Sequence, residues 1–166
     1  MASKRVAVIG ASGYGGLQTL RLLQGHPGLE VSFLGGERSS GKRWSELTPF
    51  LPLPGDPVVQ APDPDAIAAA ADLAVLSLPN GLASRLVPPL LERGVKVVDL
   101  SADYRYGSLQ QWREVYASEA RDFPRSDDAL CAEAVYGLVE WEQERIAAAR
   151  LVAAPGCFPT ASLLAL

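Results

Sequence analysis

The residues of this chain best placed to do chemistry sit in "APGCFPTASLLAL", residues 154–166. Cys157 lies between the helix-breaking pair Pro155-Gly156 and an apolar run that reads as the start of a helix, with Pro159 in its first turn. A free thiol ionises near pH 8.5, so only about 3 % is thiolate at neutral pH, and the N-terminus of a helix favours the thiolate. This placement predicts a nucleophile. Reduced cysteine is otherwise among the most buried residue types, and that structural reading is assigned to the other thiol, Cys131.

The second chemical stretch is "VIGASGYGG", residues 8–16, which sets Gly10, Gly13 and Gly16 at G-x-x-G-x-x-G spacing after an apolar run and at the start of a helical pattern. Glycines there permit a tight turn and let backbone N–H groups approach a pyrophosphate, which the positive end of the following helix stabilises. Ser12, Tyr14 and Gly15 border the same phosphates. A bare strand-to-helix turn needing positive φ is the alternative reading.

In such a unit an acid after the second strand marks NAD, and a basic or hydroxyl cluster marks the 2′-phosphate of NADP. Both signals occur. Glu37 holds the acid's place, and Arg38, Ser39, Ser40, Lys42 and Arg43 follow it. A carboxylate repels a phosphate dianion, whereas Arg grips it through paired hydrogen bonds. The cluster, with Arg38, Ser39 and Ser40 as ligands, predicts NADP (NADPH); a solvated loop face is the competing reading.

A thiolate beside a nicotinamide points to one reaction class: attack on an acyl group gives a thioester, which hydride then reduces to an aldehyde, and the reverse route is equally allowed. Breakdown of the thiohemiacetal needs an acid or base, usually His. The one histidine, His26, falls at the end of the first predicted helix, away from the carboxyl ends of the strands. It reads as a surface residue, and the acid/base is expected outside this chain.

Alternating elements position these groups. "RVAVIG" (5–10) is a short β-branched strand buried on both faces, "GGLQTLRLLQGH" (15–26) a helix with Leu17, Leu20 and Leu23 on one face, and "LEVSFLGG" (29–36) a second strand. Residues 36–57 read as a long loop with at most a short helical turn. A helix at 64–71, a strand at 72–80, a helix at 81–94 and a strand at 95–101 continue the alternation. Pro88 and Pro89 are expected to kink or break the helix that holds them. Helices at 108–117 and 140–149 and a last strand at 150–156 lead into Cys157. The pattern predicts an α/β Rossmann-type, doubly wound parallel sheet with ligands at the strand carboxyl ends.

Composition excludes other classes. Fifteen basic residues against 19 acidic ones, net charge −4, lack the field that nucleic-acid binding needs. No apolar run approaches the ~18 residues of a membrane span, and the two cysteines have neither metal-ligand spacing nor the number for a secreted disulfide framework. No metal is expected, and free thiols in a reducing cytoplasm are.

"GASGYGG", "DLSADYR", "AVYGLVEW" and "APGCFPTASLLAL", in this order, resemble the amino-terminal part of the N-acetyl-γ-glutamyl-phosphate reductases of arginine biosynthesis over essentially the whole chain. Aspartate-semialdehyde dehydrogenases share only the general plan. The resemblance implies an NADP-binding domain over residues 1–156 and, from 157 to 166, the beginning of an α+β catalytic and dimerisation domain that carries a catalytic histidine. The final helix lacks stop signals, so the sequence reads as a truncated chain, and the full-length protein is expected to be a homo-oligomer.

Carried onto this sequence, the resemblance makes Cys157 the nucleophile that displaces phosphate from a small acyl phosphate. Ser101 and Arg105 help to bind that phosphate, and Ser77 to Gly81, with Ser77 and Pro79 as contacts, border the nicotinamide ribose. Arg105 in an ion pair with Asp103 or a neighbour is the bland alternative. The sequence departs from the family in having Asn80 in place of a common His and Val139 in place of a common proline. A sister branch of lysine synthesis, acting on a carrier-bound aminoadipyl phosphate, usually lacks the "PGCFPT" form. A dinucleotide-binding module without catalysis is the alternative of a different class.

Overall fold

Strand β1 (Lys4–Ile9) alternates its apolar side chains between two cores, Ala7 and Ile9 on one face and Val6 and Val8 on the other, all fully buried. That double burial is why the run is continuously apolar. The computed structural model describes residues 3–116, 125 and 127–166. From β1 the chain forms α1 (Tyr14–Leu23), β2 (Leu29–Gly35), α2 (Trp44–Leu47), α3 (Pro64–Ala70), β3 (Leu73–Leu76), α4 (Ala83–Glu92) and β4 (Lys96–Asp99). It continues with α5 (Leu109–Val115), α6 (Asp128–Glu133), β5 (Val135–Tyr136), α7 (Val139–Ala148), β6 (Leu151–Ala153) and α8 (Cys157–Ala165). All six strands are parallel, in the order β2-β1-β3-β4-β6-β5. The predicted doubly wound sheet is observed.

The chain turns outward from β1 to β2 and then crosses back to β3, so β1 and β3 flank the topological switch point, where open α/β sheets bind their ligands. On one face of the sheet Ile67, Val87 and Leu90 pack on Ala7, Leu76 and Val97. On the other, Leu20, Trp44 and Val59 cover Val6, Val8 and Val75.

Segment 36–63 is more ordered than a bare loop. Trp44 is fully buried and donates its indole N–H to the Leu51 carbonyl at 2.7 Å. The segment also pairs with β2 through a Gly35–Gln60 bridge and closes on itself through Arg43–Val58. Thus the single short helix α2 is pinned by a tryptophan.

Three differences from the sequence reading concern the elements. Pro88 and Pro89 lie inside α4, yet the helix runs unbroken from Ala83 to Glu92. Its buried stripe of Ala83, Val87, Leu90 and Leu91 at helical spacing outweighs two missing backbone hydrogen bonds. The strands predicted at 72–80, 95–101 and 150–156 end early, at Leu76, Asp99 and Ala153, and their tails turn over the sheet edge as loops; just past the first of them Gly81 turns at φ +87°. Finally, α6 and the two-residue β5 had no counterpart in the sequence reading. The helix predicted at 108–117 begins with a Ser108 cap on the Gln111 amide, and its last residue, Ala117, lies outside the described residues. Among the described residues no helix is long and apolar enough to cross a membrane.

Candidate active site

Gly10 ends β1 at φ +78°, a conformation that L side chains rarely adopt, and a Cβ there would run into the Ser77 carbonyl oxygen at the end of β3. Gly16 is demanded by contact alone, since its Cβ would overlap the Gly10 carbonyl oxygen and the Ala11 backbone. The turn is tied to its neighbours: Gly10 and Ala11 donate to the Gly35 carbonyl of β2, and Ser77 donates to the Ile9 carbonyl. The Ser77 side chain lies against Gly15. Gly10, Gly15, Gly16 and Ser77 therefore converge at the switch point, and Ser12, Gly13 and Tyr14 lie on the same turn.

A pyrophosphate fits this turn on observations of the turn itself. The first turn of α1 has no acidic residue, and its N-cap, Gly13, provides no side-chain cap for the amides that follow. Ser12, Gly13 and Tyr14 are exposed, Tyr14 to 94 %. Backbone donors at a helix N-terminus with nothing acidic beside them are the usual cradle for phosphate.

The candidates after β2 divide by orientation. Arg38, Ser40 and Lys42 are exposed, and Arg38 and Lys42 have no ion-pair partner among the described residues. Arg43 faces Asp56 at 3.7 Å. Ser39 is buried, its hydroxyl turned inward against Gly36. Arg38 and Ser40 are thus on the open side of this loop, and Ser39 is on the packed side. Pro79 is exposed on the loop beyond β3.

Cys157 is the first residue of α8, exposed and free, with Gly156 as its N-cap. Cys131 is buried, and burial pushes its thiol up to about 11. Arg105 reaches the cysteine's loop from the one after β4. Its Nε donates to the Ala154 carbonyl at 2.8 Å and its Nη2 to the Leu100 carbonyl at 3.0 Å. A methyl group at Gly156 would lie 3.4 Å from Nη1. Both acceptors are neutral carbonyls, and no ion pair of Arg105 occurs among the described residues. The ion pair with Asp103 is not formed. An Arg without an ion-pair partner among the described residues can still take up an incoming anion.

The structure gives Ser101 a buried position. Its hydroxyl donates to Asp99 Oδ2 at 2.8 Å and accepts from the Asp103 amide at 3.2 Å, while its amide donates to Asp99 Oδ1 at 2.9 Å. Its contacts are those of a loop organiser. Three further residues complete the site floor. Asp99 and Asp103 are fully buried, and Asn80 Oδ1 accepts from the Ala102 amide at 2.9 Å. "DLSADYR" signalled the two acids, but only a structure could show them turned inward.

Burial pushes the Asp99 carboxyl up to about 6, against the pull of the two Ser101 donors and with the nearby Asp103 charge adding to the rise. A carboxyl raised in the folded state contributes stability below its unfolded value near 4 and loses it as pH climbs through about 6. The measurable consequence is differential: Asp99→Asn should gain on the parent by about 2–3 kcal/mol between pH 4 and pH 7.5 in urea unfolding. A parent-minus-variant difference that is flat with pH would show that Asp99 titrates as an ordinary carboxyl.

A parallel, doubly wound sheet with a glycine turn at its switch point defines a nicotinamide-dinucleotide-binding domain. The chain belongs to the family "Semialdehyde dehydrogenase, NAD binding domain", whose model matches residues 5–149. It is 72 % identical over 98 % of its length to N-acetyl-gamma-glutamyl-phosphate reductase of Synechococcus sp. (strain CC9605), and 69 % identical over 98 % to that of Prochlorococcus marinus (strain MIT 9313). The chain spans 45 % of each of these relatives.

Among solved structures, aspartate semialdehyde dehydrogenase II of Vibrio cholerae superposes with a TM-score of 0.67 at 23 % identity, covering 99 % of this chain and 45 % of that one. The likeness is one of fold. Aspartate semialdehyde dehydrogenase with NADP from Candida albicans gives 0.56 at 30 % identity, over 63 % of this chain and 31 % of that one.

Proposed function

We propose that this chain supplies the cofactor domain and the nucleophile of an NADPH-dependent reductase that converts N-acetyl-γ-glutamyl phosphate to the semialdehyde with release of phosphate. One observation carries the reading: the exposed thiol at the first position of α8 sits in a loop whose neighbouring Gly156 lies beside the Arg105 guanidinium. Nucleophile and anion receptor share one corner of the site. The names of the relatives at 72 % and 69 % identity supply the substrate.

The strand order supports one orientation for the dinucleotide. The glycine turn follows β1, the basic loop follows β2 on one side, and Arg105 and Cys157 follow β4 and β6 on the other. Strands lie about 4.8 Å apart, so β6 is roughly 14 Å from β1, a span that an extended dinucleotide bridges in part. The Gly10–Gly16 turn would hold the pyrophosphate, Arg38 and Ser40 the adenosine half, and the Ser77–Gly81 loop would border the nicotinamide half.

In the proposed reaction the Cys157 sulfur attacks the acyl carbon, the carbon–oxygen bond to phosphate breaks, and inorganic phosphate leaves with Arg105 neutralising its charge. When bound, the cofactor would supply the hydride that reduces the thioester carbon. The resulting thiohemiacetal loses its carbon–sulfur bond, releasing the aldehyde and returning the thiolate. The proton at that oxygen needs an acid or base, a role that none of the groups described at this corner is assigned. The test is stoichiometric: in the enzyme of the relatives' length, one NADPH is consumed per phosphate released. Phosphate release without NADPH oxidation would point to an acyl phosphatase instead.

The cofactor preference gives a further expected result. Arg38→Ala should weaken NADPH binding by about tenfold, as expected for losing one charged hydrogen-bonding contact, and leave NADH binding nearly unchanged. Equal weakening of both, in a fluorescence titration, would remove Arg38 from the 2′-phosphate site.

A further inference from the structure

Two stretches border the proposed reaction corner: residues 77–84, the loop after β3 with the first residues of α4, along the nicotinamide half, and residues 100–105 after β4, which carry Arg105. Three hydrogen bonds join them. The buried Asp103 carboxylate accepts from the Gly81 amide at 2.6 Å and from the Ser84 amide at 3.1 Å, and Asn80 Oδ1 accepts in return from the Ala102 amide at 2.9 Å. The Asp103 side chain thereby provides the acceptors at the start of α4, although it belongs to a different loop.

The latch is backed from behind. The Asp103 carbonyl accepts from Arg125 Nη1 at 2.7 Å, and the Arg125 side chain is only 1 % exposed. Its guanidinium centre lies 4.9 Å from the ring centroids of both Tyr104 and Trp112 and is paired with Asp127 at 3.0 Å. Tyr104, between Asp103 and Arg105, is itself buried. Backbone and side chains on either side of Asp103 are therefore fixed, and Arg105 is only two residues on.

We propose that Asp103 is a positioning residue: its carboxylate, with Asn80 opposite, locks the loop of the phosphate-binding Arg105 onto the loop of the nicotinamide and so sets the geometry between leaving group and hydride. The proposal rests on the reading of Arg105 as the phosphate ligand. Asp103 touches neither reactant. Its effect should fall on the phosphate side, because Arg105 rides on the loop that Asp103 anchors, whereas cofactor affinity is dominated by the glycine turn. A displacement of about 1 Å in a positioning group can cost up to about 100-fold in rate.

The test uses the enzyme of the relatives' length in the semialdehyde-oxidising direction, where inorganic phosphate and NADP+ are separate substrates. Asp103→Ala should raise the KM for phosphate about tenfold and lower kcat, with the KM for NADP+ changed less than about twofold. Asp103→Asn keeps a carbonyl acceptor for one of the two amides and should fall between parent and Ala. Asn80→Leu removes the third bond without touching charge and should move the phosphate KM in the same direction, which keeps the test open if Asp103→Ala does not fold. Unchanged phosphate KM in Asp103→Asn and Asn80→Leu, or equal rises in both KM values, would overturn the latch. An unchanged phosphate KM in Arg105→Ala would instead defeat the underlying reading of Arg105 as the phosphate ligand, so the two failures are distinguishable.

Discussion

Replacing Cys157 by Ser in the enzyme of the relatives' length should abolish NADPH oxidation by the acyl phosphate, by at least about 1,000-fold in kcat, the scale seen when a covalent nucleophile is removed. The hydroxyl is nearly isosteric, but its ionisation lies far above that of a thiol, so it cannot form the acyl intermediate at neutral pH. Cys157 is exposed at the start of α8 and none of the described core depends on it. The variant should therefore fold and bind NADPH like the parent. Cys131→Ser provides the contrast. That thiol is buried in the core beside Arg125 Nη2, at 3.5 Å from it, so its loss should lower stability while leaving kcat largely intact. Activity surviving in Cys157→Ser would end the thioester mechanism.

Gly10→Ala should have the largest effect on the domain itself. The added methyl group meets two penalties together, a φ of +78° and overlap with the Ser77 backbone oxygen, and neither neighbour is a flexible side chain that can swing away. A destabilisation of about 3–5 kcal/mol is expected, the range of severe single substitutions. NADPH binding should fall by about 100-fold or more, because the turn that presents the first-turn amides of α1 cannot close. Gly13→Ala is the internal control for stability. Gly13 has φ −79°, and its Cβ would approach the Gly10 carbonyl oxygen only to 3.3 Å. Its cost should stay near 1 kcal/mol in urea unfolding. Equal stability losses in the two variants would mean that the glycine turn is not shaped as described.

The sequence carried these two features plainly because each depends on local signals. A glycine run between a doubly buried strand and a helix has few other uses, and the Pro-Gly-Cys step before an apolar helix is equally compact. Other features depended on contacts remote in the chain. Arg125, whose guanidinium packs over Tyr104 and Trp112, has no local pattern at all. Asp103 enters the sequence reading only as one alternative ion-pair partner for Arg105, and it is buried against amides 22 and 19 residues away.

Ser101 and Ser39 illustrate the same limit. Ser39 reads as a hydroxyl in a basic cluster and Ser101 as a phosphate ligand by resemblance, yet each is turned into the protein, Ser101 toward Asp99 and Ser39 toward Gly36. In a short loop, alternation decides which of two adjacent side chains faces the ligand, and that alternation is set by backbone torsions that composition does not encode. Pro88 and Pro89 misled for a different reason. Local propensity argued for a break in α4, and burial of Val87, Leu90 and Leu91 against the sheet overrode it. Strand β5, two residues long, lies below any periodicity that could be read.

Catalysis in this account begins with a covalent bond between Cys157 and the substrate, and that bond can be trapped. Mixing the enzyme of the relatives' length with N-acetyl-γ-glutamyl phosphate and no reduced cofactor should release one phosphate per active site and leave an acyl group, cleaved by hydroxylamine, on the peptide containing Cys157. Mass spectrometry that finds no adduct on that peptide, or finds it on Cys131, would contradict the assignment.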